Sequence, residues 1–220
     1  MLRLLRLAAL AAILAASAAM PRAQAQGADA QQLVNDAAGT VRQMRAAPEV
    51  RRSGVLRRAR AIMVFPNLIR AGFLVGGEGG QGVLLAHAGR GWSDPAFYAL
   101  GSLSVGAQAG VQDASVVLFI MTQRALNSFL NNNTFTLKAQ ADFAVVTISQ
   151  ASEAQLHNAD VVVWTQAAGL YAGLTVDGTD IKQRLEYDQA YYRRPVSAAQ
   201  IIYGRAYNRG AGVIRGSLGG

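Results

Sequence analysis

Seven arginines lie close together between residues 42 and 60, and Glu49 is the only acidic residue among them. They are Arg42, Arg45, Arg51, Arg52, Arg57, Arg58 and Arg60. Guanidinium groups donate paired hydrogen bonds whose geometry matches phosphate oxygens. The local net charge of +6 therefore predicts contact with a phosphate-bearing surface. The alternative is a solvated helix face whose arginines pair with carboxylates elsewhere in the chain.

The elements that present these arginines are predicted from the same segment. Pro48 ends a first helix, and a second, short amphipathic helix is predicted from residue 49 to residue 60. A cationic amphipathic helix at an anionic membrane gains about 1 kcal/mol for each basic residue close to the lipid. The predicted lipid-binding residues are the arginines Arg51, Arg52, Arg57, Arg58 and Arg60 and the apolar residues Val55 and Leu56.

The stretch GGEGGQG, residues 76–82, contains the pattern G-x-G-x-x-G, which could cradle a dinucleotide phosphate. Such a site needs a helix directly after the loop and an acidic residue about 20 positions further on. The following residues 88–95, AGRGWSDP, prevent that helix, and no acid lies near position 102. We therefore predict no nucleotide binding, and expect the glycines to mark a hairpin or a close approach of two backbones. Asp94, before Pro95, indicates a turn.

Residues for catalysis or metal binding are scarce. The chain has no cysteine, and its two histidines, His87 and His157, lie 70 positions apart without a metal-ligand spacing around either. There is no G-x-S-x-G nucleophile motif. We expect His87 to be a packed or edge residue of a strand and His157 to be solvated. The sequence thus predicts no catalytic residues, no metal and no cofactor, and so no enzyme.

The first 25 residues have the pattern of a signal peptide. Arg3 and Arg6 precede an apolar run from Leu7 to Ala19, which is shorter than the roughly 20 residues of a membrane-spanning helix, and an A-x-A site ends at Ala25. We expect cleavage there, and a periplasmic or otherwise exported protein that is peripheral at a membrane. Export and the lack of aromatic residues among the arginines argue against nucleic acid as a partner.

The expected mature chain, residues 26–220, is short enough for one domain. Removal of three arginines with the signal peptide leaves 18 basic against 13 acidic residues, about +5. Outside residues 42–60 the balance is about −1. By this count, residues 42–60 account for the net positive charge of the expected mature chain.

Hydrophobic periodicity predicts an α+β fold with a curved antiparallel, barrel-like sheet, N-terminal helices and short peripheral helices. A helix is expected over residues 28–47, capped by Asp29, with an apolar stripe at Val34, Ala37, Val41 and Met44. Further helices are expected within residues 121–134 and, as the last one, after Ser197. Predicted strands cover residues 61–65, 72–76, 83–87, 101–112, 115–121, 135–145, 161–165 and 170–176.

Three motifs in a fixed order, AIMVFP, GGEGGQG and GWSDPAF, resemble the SYLF domain family, whose fungal members are also called actin-binding domains. The resemblance covers residues 33–204, nearly the whole expected mature chain. It implies an exported bacterial member that binds acidic phospholipid, with the basic N-terminal segment at the membrane. The alternative function is a structural or protein-interaction module of the cell envelope, with an envelope protein as partner.

Overall fold

The computed structural model describes residues 25–72, 75–89, 91–105, 110–132, 134–136, 143–166 and 179–219. The helices are α1 (residues 25–46), α2 (Pro48–Ser53), α3 (Val55–Arg58), α4 (Gln123–Asn131), α5 (Glu153–Asn158), α6 (Leu185–Tyr192), α7 (Ala198–Ile202) and α8 (Gly212–Leu218), with a 3-10 turn at Arg209–Ala211. The strands are β1 (Ala61–Gly72), β2 (Val75–Ala88), β3 (Gly91–Trp92), β4 (Ala96–Val105), β5 (Gly110–Ile120), β6 (Thr134–Thr136), β7 (Val145–Thr147), β8 (Val161–Thr165) and β9 (Thr179–Gln183).

The described strands form one curled sheet in the order β6-β9-β4-β2-β1-β5-β8-β7, with β3 added alongside β2. Every pair is antiparallel except β7 with β8, which is parallel. The long strands β1 and β2 lie at its centre, and residues 61–66 and 82–86 are continuously buried because both faces of the sheet are covered there. This architecture confirms the predicted α+β class with a curved sheet and short peripheral helices.

Helix α1 packs on the rest of the chain through the predicted apolar stripe. Val34, Ala37, Val41 and Met44 are fully buried and belong to the same hydrophobic cluster as the sheet. The sequence predicts Asp29 as the cap of this helix. The helix already includes residue 25, so Asp29 lies inside it and is not its cap. Ala25, Gln26 and Ala28 are good helix formers, and the helical backbone continues upstream through them despite Gly27.

The prediction of a single basic helix from residue 49 to residue 60 is wrong. Gly54 adopts a left-handed backbone with φ of 63° and separates α2 from α3. Such a backbone ends a helix, and glycine adopts it without steric cost. Beyond α3 the chain joins the sheet, since Arg60 donates its amide to Ile120 O at 2.8 Å and accepts from the amide of His87 at 2.8 Å.

The glycines of residues 76–82 lie inside strand β2. A Cβ at Gly80 would lie 2.5 Å from Asn67 O, and one at Gly82 would lie 2.5 Å from Val64 O. These contacts fall where the register between β1 and β2 shifts. The expected close approach of two backbones is therefore confirmed, and the stretch is not a strand-to-helix loop.

Several predicted element boundaries differ from those observed. The expected strand at residues 72–76, a continuous apolar run, includes the last residue of β1 and the start of β2. The expected strand at residues 101–112 includes the end of β4 and the start of β5. Residues 73–74 and 106–109 lie outside the described residues. In the expected strand at residues 135–145, β6 and β7 occupy the two ends, while the expected strand at residues 170–176 lies outside the described residues. The helices predicted within residues 121–134 and after Ser197 are confirmed as α4 and α7. Helices α6 and α8 were not predicted, so α7 is not the last helix.

Candidate functional site

An open pocket of about 600 Å³ lies where the end of α3 meets α4 and α7, and we call it the basic pocket. Its lining residues are Arg57, Arg58, Ala59, Arg60, Ala86, His87, Met121, Gln123, Leu126, Ile202 and Tyr203. Three arginines and a histidine thus face a wall of apolar side chains, and no carboxylate lines the pocket. The arrangement combines hydrogen-bond donors for an anion with contact area for a less polar group.

The basic pocket rests on rigid elements. The backbone of Arg60 is hydrogen-bonded on both sides to the central strands, which fixes the start of its side chain at the end of the sheet. His87 ends strand β2 next to it and stacks on Trp92 with ring centroids 4.1 Å apart. The imidazole of His87 remains exposed to solvent, as an edge residue. The expectation of an edge histidine is met, and its position places it in the pocket wall.

The arginines of the basic pocket are not neutralised by the protein. Among the residues that the structure describes, no carboxylate lies within ion-pair distance of Arg57, Arg58 or Arg60. Arg58 contacts Nδ1 of His157 at 3.2 Å and the carbonyl oxygen of Ser53 at 3.4 Å. Neither of these partners is a carboxylate, so they do not form an ion pair with the Arg58 guanidinium. The sequence-based alternative, a helix face neutralised by carboxylates, does not describe this pocket.

The predicted lipid-binding residues are only partly brought together. Arg57, Arg58 and Arg60 line the basic pocket. Arg52 lines a neighbouring cavity of about 340 Å³, which also contains Glu49, Glu153 and His157. Arg58 borders both cavities, whereas Arg51 is exposed on α2 and lines neither.

The two apolar residues of the predicted set do not face outward. Val55 is fully buried in the hydrophobic core, and Leu56 is half-buried and packed against it. The apolar side of this segment therefore faces the protein, which removes Val55 from any lipid-contacting set. His157, expected in a solvated loop, is exposed but lies in helix α5 and contacts Arg58.

A second polar cluster surrounds the GWSDPAF motif, and we call it the motif corner: residues 92–97 with the side chains of Asp188, Asn208 and Arg215. Asp94 accepts from the amide of Asn208 at 2.6 Å and pairs with Arg215 at 3.0 Å. Burial raises the pKa of Asp94, although the Asn208 hydrogen bond and the charge of Arg215 oppose that rise. Asp94 is thus a buried anchor of the C-terminal segment rather than the turn residue that the sequence indicated.

Asp188 of α6 lies on the other side of the motif corner and is fully buried. Its carboxylate accepts from the amide of Phe97 at 3.0 Å and from Nε2 of Gln183 at 2.9 Å. Burial raises the pKa of Asp188 to about 7, against the effect of those two hydrogen bonds. Tyr192 donates its hydroxyl to Pro95 O at 2.8 Å. The motif corner therefore holds elements together, and both of its carboxylates are buried.

Sequence reasoning missed the contribution of the C-terminal segment to the site. Residues 189–220 contain five arginines and no acid, a local charge of +5 that the overall balance concealed. The five are Arg193, Arg194, Arg205, Arg209 and Arg215. Tyr203 of the same segment lines the basic pocket with 61% of its surface exposed. A segment-by-segment charge count would have found the arginines, but not the position of Tyr203.

Two further features of the described part of the chain bear on other functions. No group of three or more histidine, cysteine or carboxylate side chains gathers there as a metal site. None of the helices described is both long and apolar enough to cross a membrane.

Comparison with known proteins identifies the family. The family described as Ysc84, the Las17-binding protein actin regulator, matches residues 101–214. LAS seventeen-binding protein 3 of Saccharomyces cerevisiae is 30% identical over 157 residues, which cover 69% of this chain and 34% of the relative. SH3 domain-containing YSC84-like protein 1 of Mus musculus is 28% identical over 154 residues, 68% of this chain and 45% of the relative.

The chain spans less than half the length of these relatives, because the matched region covers 34% and 45% of them. No solved structure matches the chain. The family match extends over more than half of the sequence, so the chain belongs to the Ysc84 family, the SYLF family that its motifs predicted.

Proposed function

We propose that this chain is a non-enzymatic module that docks on anionic phospholipid through the basic pocket. The observation that carries the proposal is the gathering of Arg57, Arg58 and Arg60 at one open pocket, with no carboxylate partner in the described part of the chain. Unpaired arginines at one site cost stability through mutual repulsion, and a bound phosphate group removes that cost. The pocket volume of about 600 Å³ accommodates a phospholipid headgroup.

The energy of this docking is mainly electrostatic. Each basic residue close to an anionic membrane contributes about 1 kcal/mol, so three arginines supply about 3 kcal/mol. This attraction decreases as salt shortens the range of the surface potential. The proposed location is the membrane surface of an exported compartment, as expected from the signal-peptide pattern.

Co-sedimentation with vesicles tests the proposal. The purified chain is incubated with vesicles of phosphatidylglycerol or of neutral phosphatidylcholine, and the bound fraction is measured at increasing salt. We expect binding to the anionic vesicles only. Replacing Arg57 and Arg60 by serine should reduce affinity about 30-fold, since two contributions of about 1 kcal/mol are lost.

A matched variant separates a defined pocket from net charge alone. Arg42 and Arg51 belong to the same basic segment and are exposed, but they line neither cavity. Their double replacement by serine changes the net charge equally and should reduce affinity less than fivefold, through the weaker long-range attraction. Equal losses in the two double variants, or equal binding to both vesicle types, would contradict the proposal.

Binding of a protein partner is the second candidate function, and the name of a relative favours it. LAS seventeen-binding protein 3 is named for binding another protein. A stoichiometric protein recovered with the chain at high salt, together with absence of vesicle binding, would favour this function over lipid docking. In the exported setting that the sequence predicts, that partner is an envelope protein.

A further inference from the structure

The basic pocket supplies charge, but the residues expected to supply apolar contact are turned inward. Val55 is fully buried and Leu56 is half-buried against the core. Membrane-surface segments normally combine basic residues with apolar or aromatic side chains that enter the headgroup region. If the basic pocket meets a membrane, that second component must come from another element beside it.

Tyr203 is placed to supply it. It directly follows helix α7, lines the basic pocket together with Arg57 and Arg60, and is 61% exposed. A tyrosine ring with a polar hydroxyl suits the boundary between lipid and water, where tyrosine is enriched. Among the exposed large hydrophobic side chains of the described residues, Tyr203 is therefore the one that lines the pocket with these arginines.

Tyr203 is exposed because the residues before it in α7 pack into the core. Ile201 and Ile202 are buried in the core, and Ser197 and Gln200 form a capping box at the start of α7. The amide of Tyr203 donates to Ala199 O, and Gly204 then leaves the helix with a left-handed φ of 75°. The backbone on both sides of Tyr203 is thus fixed, which places the start of its side chain at the pocket rim before any ligand binds.

Tyr207 provides an internal comparison. It lies four residues further on and is 66% exposed, slightly more than Tyr203. Its ring, however, is covered on one face by Arg215, whose guanidinium carbon lies 5.5 Å from the ring centroid. Arg215 is itself paired with Asp94 in the motif corner, and Tyr207 does not line the basic pocket. Exposure alone therefore does not distinguish the two tyrosines, whereas position does.

We propose that Tyr203 is the interfacial anchor of this protein: its ring enters the headgroup region of an anionic membrane beside the phosphate held by Arg57, Arg58 and Arg60. This inference rests on the proposed lipid docking and adds the side chain that sets the orientation on the membrane. The chain approaches with the ends of α3 and α7 facing the lipid. The motif corner, which holds Arg215 inward, contributes no membrane contact.

Tryptophan fluorescence tests this orientation, because Trp92 and Trp164 are both buried, at 8% and 4% exposure. Tyr203→Trp and, as the matched control, Tyr207→Trp are each mixed with phosphatidylglycerol vesicles whose acyl chains carry bromine, a contact quencher. We expect the added tryptophan at position 203 to shift its emission to shorter wavelength and to be quenched. The tryptophan at position 207 should show neither change.

A second variant measures the affinity. Tyr203→Ser should weaken binding to phosphatidylglycerol vesicles about fivefold while leaving its salt dependence unchanged, because the lost contact is apolar. Tyr207→Ser should bind like the unmodified chain, and thermal melting of both exposed variants verifies that they fold. Vesicle binding without quenching at position 203, or equal quenching at both positions, overturns the anchor and leaves lipid docking intact. Absence of binding to anionic vesicles by the unmodified chain overturns both proposals.

Discussion

Arginine has different roles in the motif corner and in the basic pocket. In the motif corner, Arg215 is mostly shielded from solvent, lies 3.0 Å from Asp94 and covers the ring of Tyr207. In the basic pocket, Arg57 and Arg60 are exposed and have no carboxylate partner among the described residues. An arginine thus forms an ion pair within the fold in the motif corner, whereas the arginines of the basic pocket remain available to bind an anion from solution.

The residues of the family motif GWSDPAF therefore differ from the residues that we propose bind the ligand. The motif GWSDPAF is strongly recognisable, yet its residues from Trp92 to Phe97 are buried and serve to join α6, α8 and the sheet. The arginines of the basic pocket belong to none of the three family motifs. The buried motif GWSDPAF therefore reports mainly on architecture, whereas the lipid docking that we propose depends on exposed arginines outside the three motifs.

Breaking the motif corner should have the largest effect on stability. Asp94→Ala removes the acceptor of the Asn208 amide and leaves Arg215 without its carboxylate. We expect the free energy of unfolding to fall by about 3 kcal/mol, at the low end for a buried pair because Arg215 is partly solvated. Urea denaturation measures this loss, and vesicle affinity of the folded variant should be unchanged.

A double-mutant cycle with Arg215→Ala controls this experiment. If Asp94 and Arg215 stabilise the fold as a pair, the double variant should be more stable than the sum of the two single losses implies. Strict additivity, or a loss below about 1 kcal/mol for Asp94→Ala, would contradict the anchoring role of the motif corner.

A second prediction about the motif corner concerns the pH dependence of stability, to which Asp188 contributes. Its pKa is raised from the ordinary 3.8 to about 7, so between these values the folded state holds a proton that the unfolded state has released. The stabilisation from this proton is fully present below the ordinary pKa and is lost as the pH rises through about 7. From pH 5 to pH 8 we expect the unmodified chain to lose about 2 kcal/mol from this group.

Asp188→Asn isolates that contribution, because asparagine is neutral at both values and its side-chain oxygen can still accept from the Phe97 amide. The Gln183 amide can reverse to accept from the new amide group. Denaturation at both pH values should therefore show that the variant loses less stability than the unmodified chain. An unchanged difference between the two pH values would mean that Asp188 does not titrate in this window.

The local pattern of the chain predicted those features that depend on neighbouring residues. The α1 stripe at Val34, Ala37, Val41 and Met44 follows from helical spacing, and the helix cap at Ser197 follows from its position before an apolar run. The narrow space at Gly80 and Gly82 was expected from glycine chemistry alone. The family and the α+β class were likewise readable from motif order and alternation.

Features that depend on distant parts of the chain were not predictable in this way. An amphipathic pattern shows that Val55 lies on an apolar face, but it does not show whether that face meets lipid or the protein core. The pair formed by Asp94 and Arg215 joins positions 121 residues apart, and Tyr203 reaches Arg57 only through the placement of α7. The break at Gly54 reflects a left-handed backbone that helix periodicity does not detect.

The smallest expected effect concerns the stability of the basic pocket itself. Because Arg57 and Arg60 have no carboxylate partners and are exposed, replacing both by serine should change the free energy of unfolding by less than about 0.5 kcal/mol. Relief of repulsion with Arg58 favours a slight increase at low salt, which should vanish as salt screens the charges. Urea denaturation at two salt concentrations measures this. A large loss of stability would show that these arginines hold the fold together as Arg215 does, and would remove the contrast on which the assignment of the binding site depends.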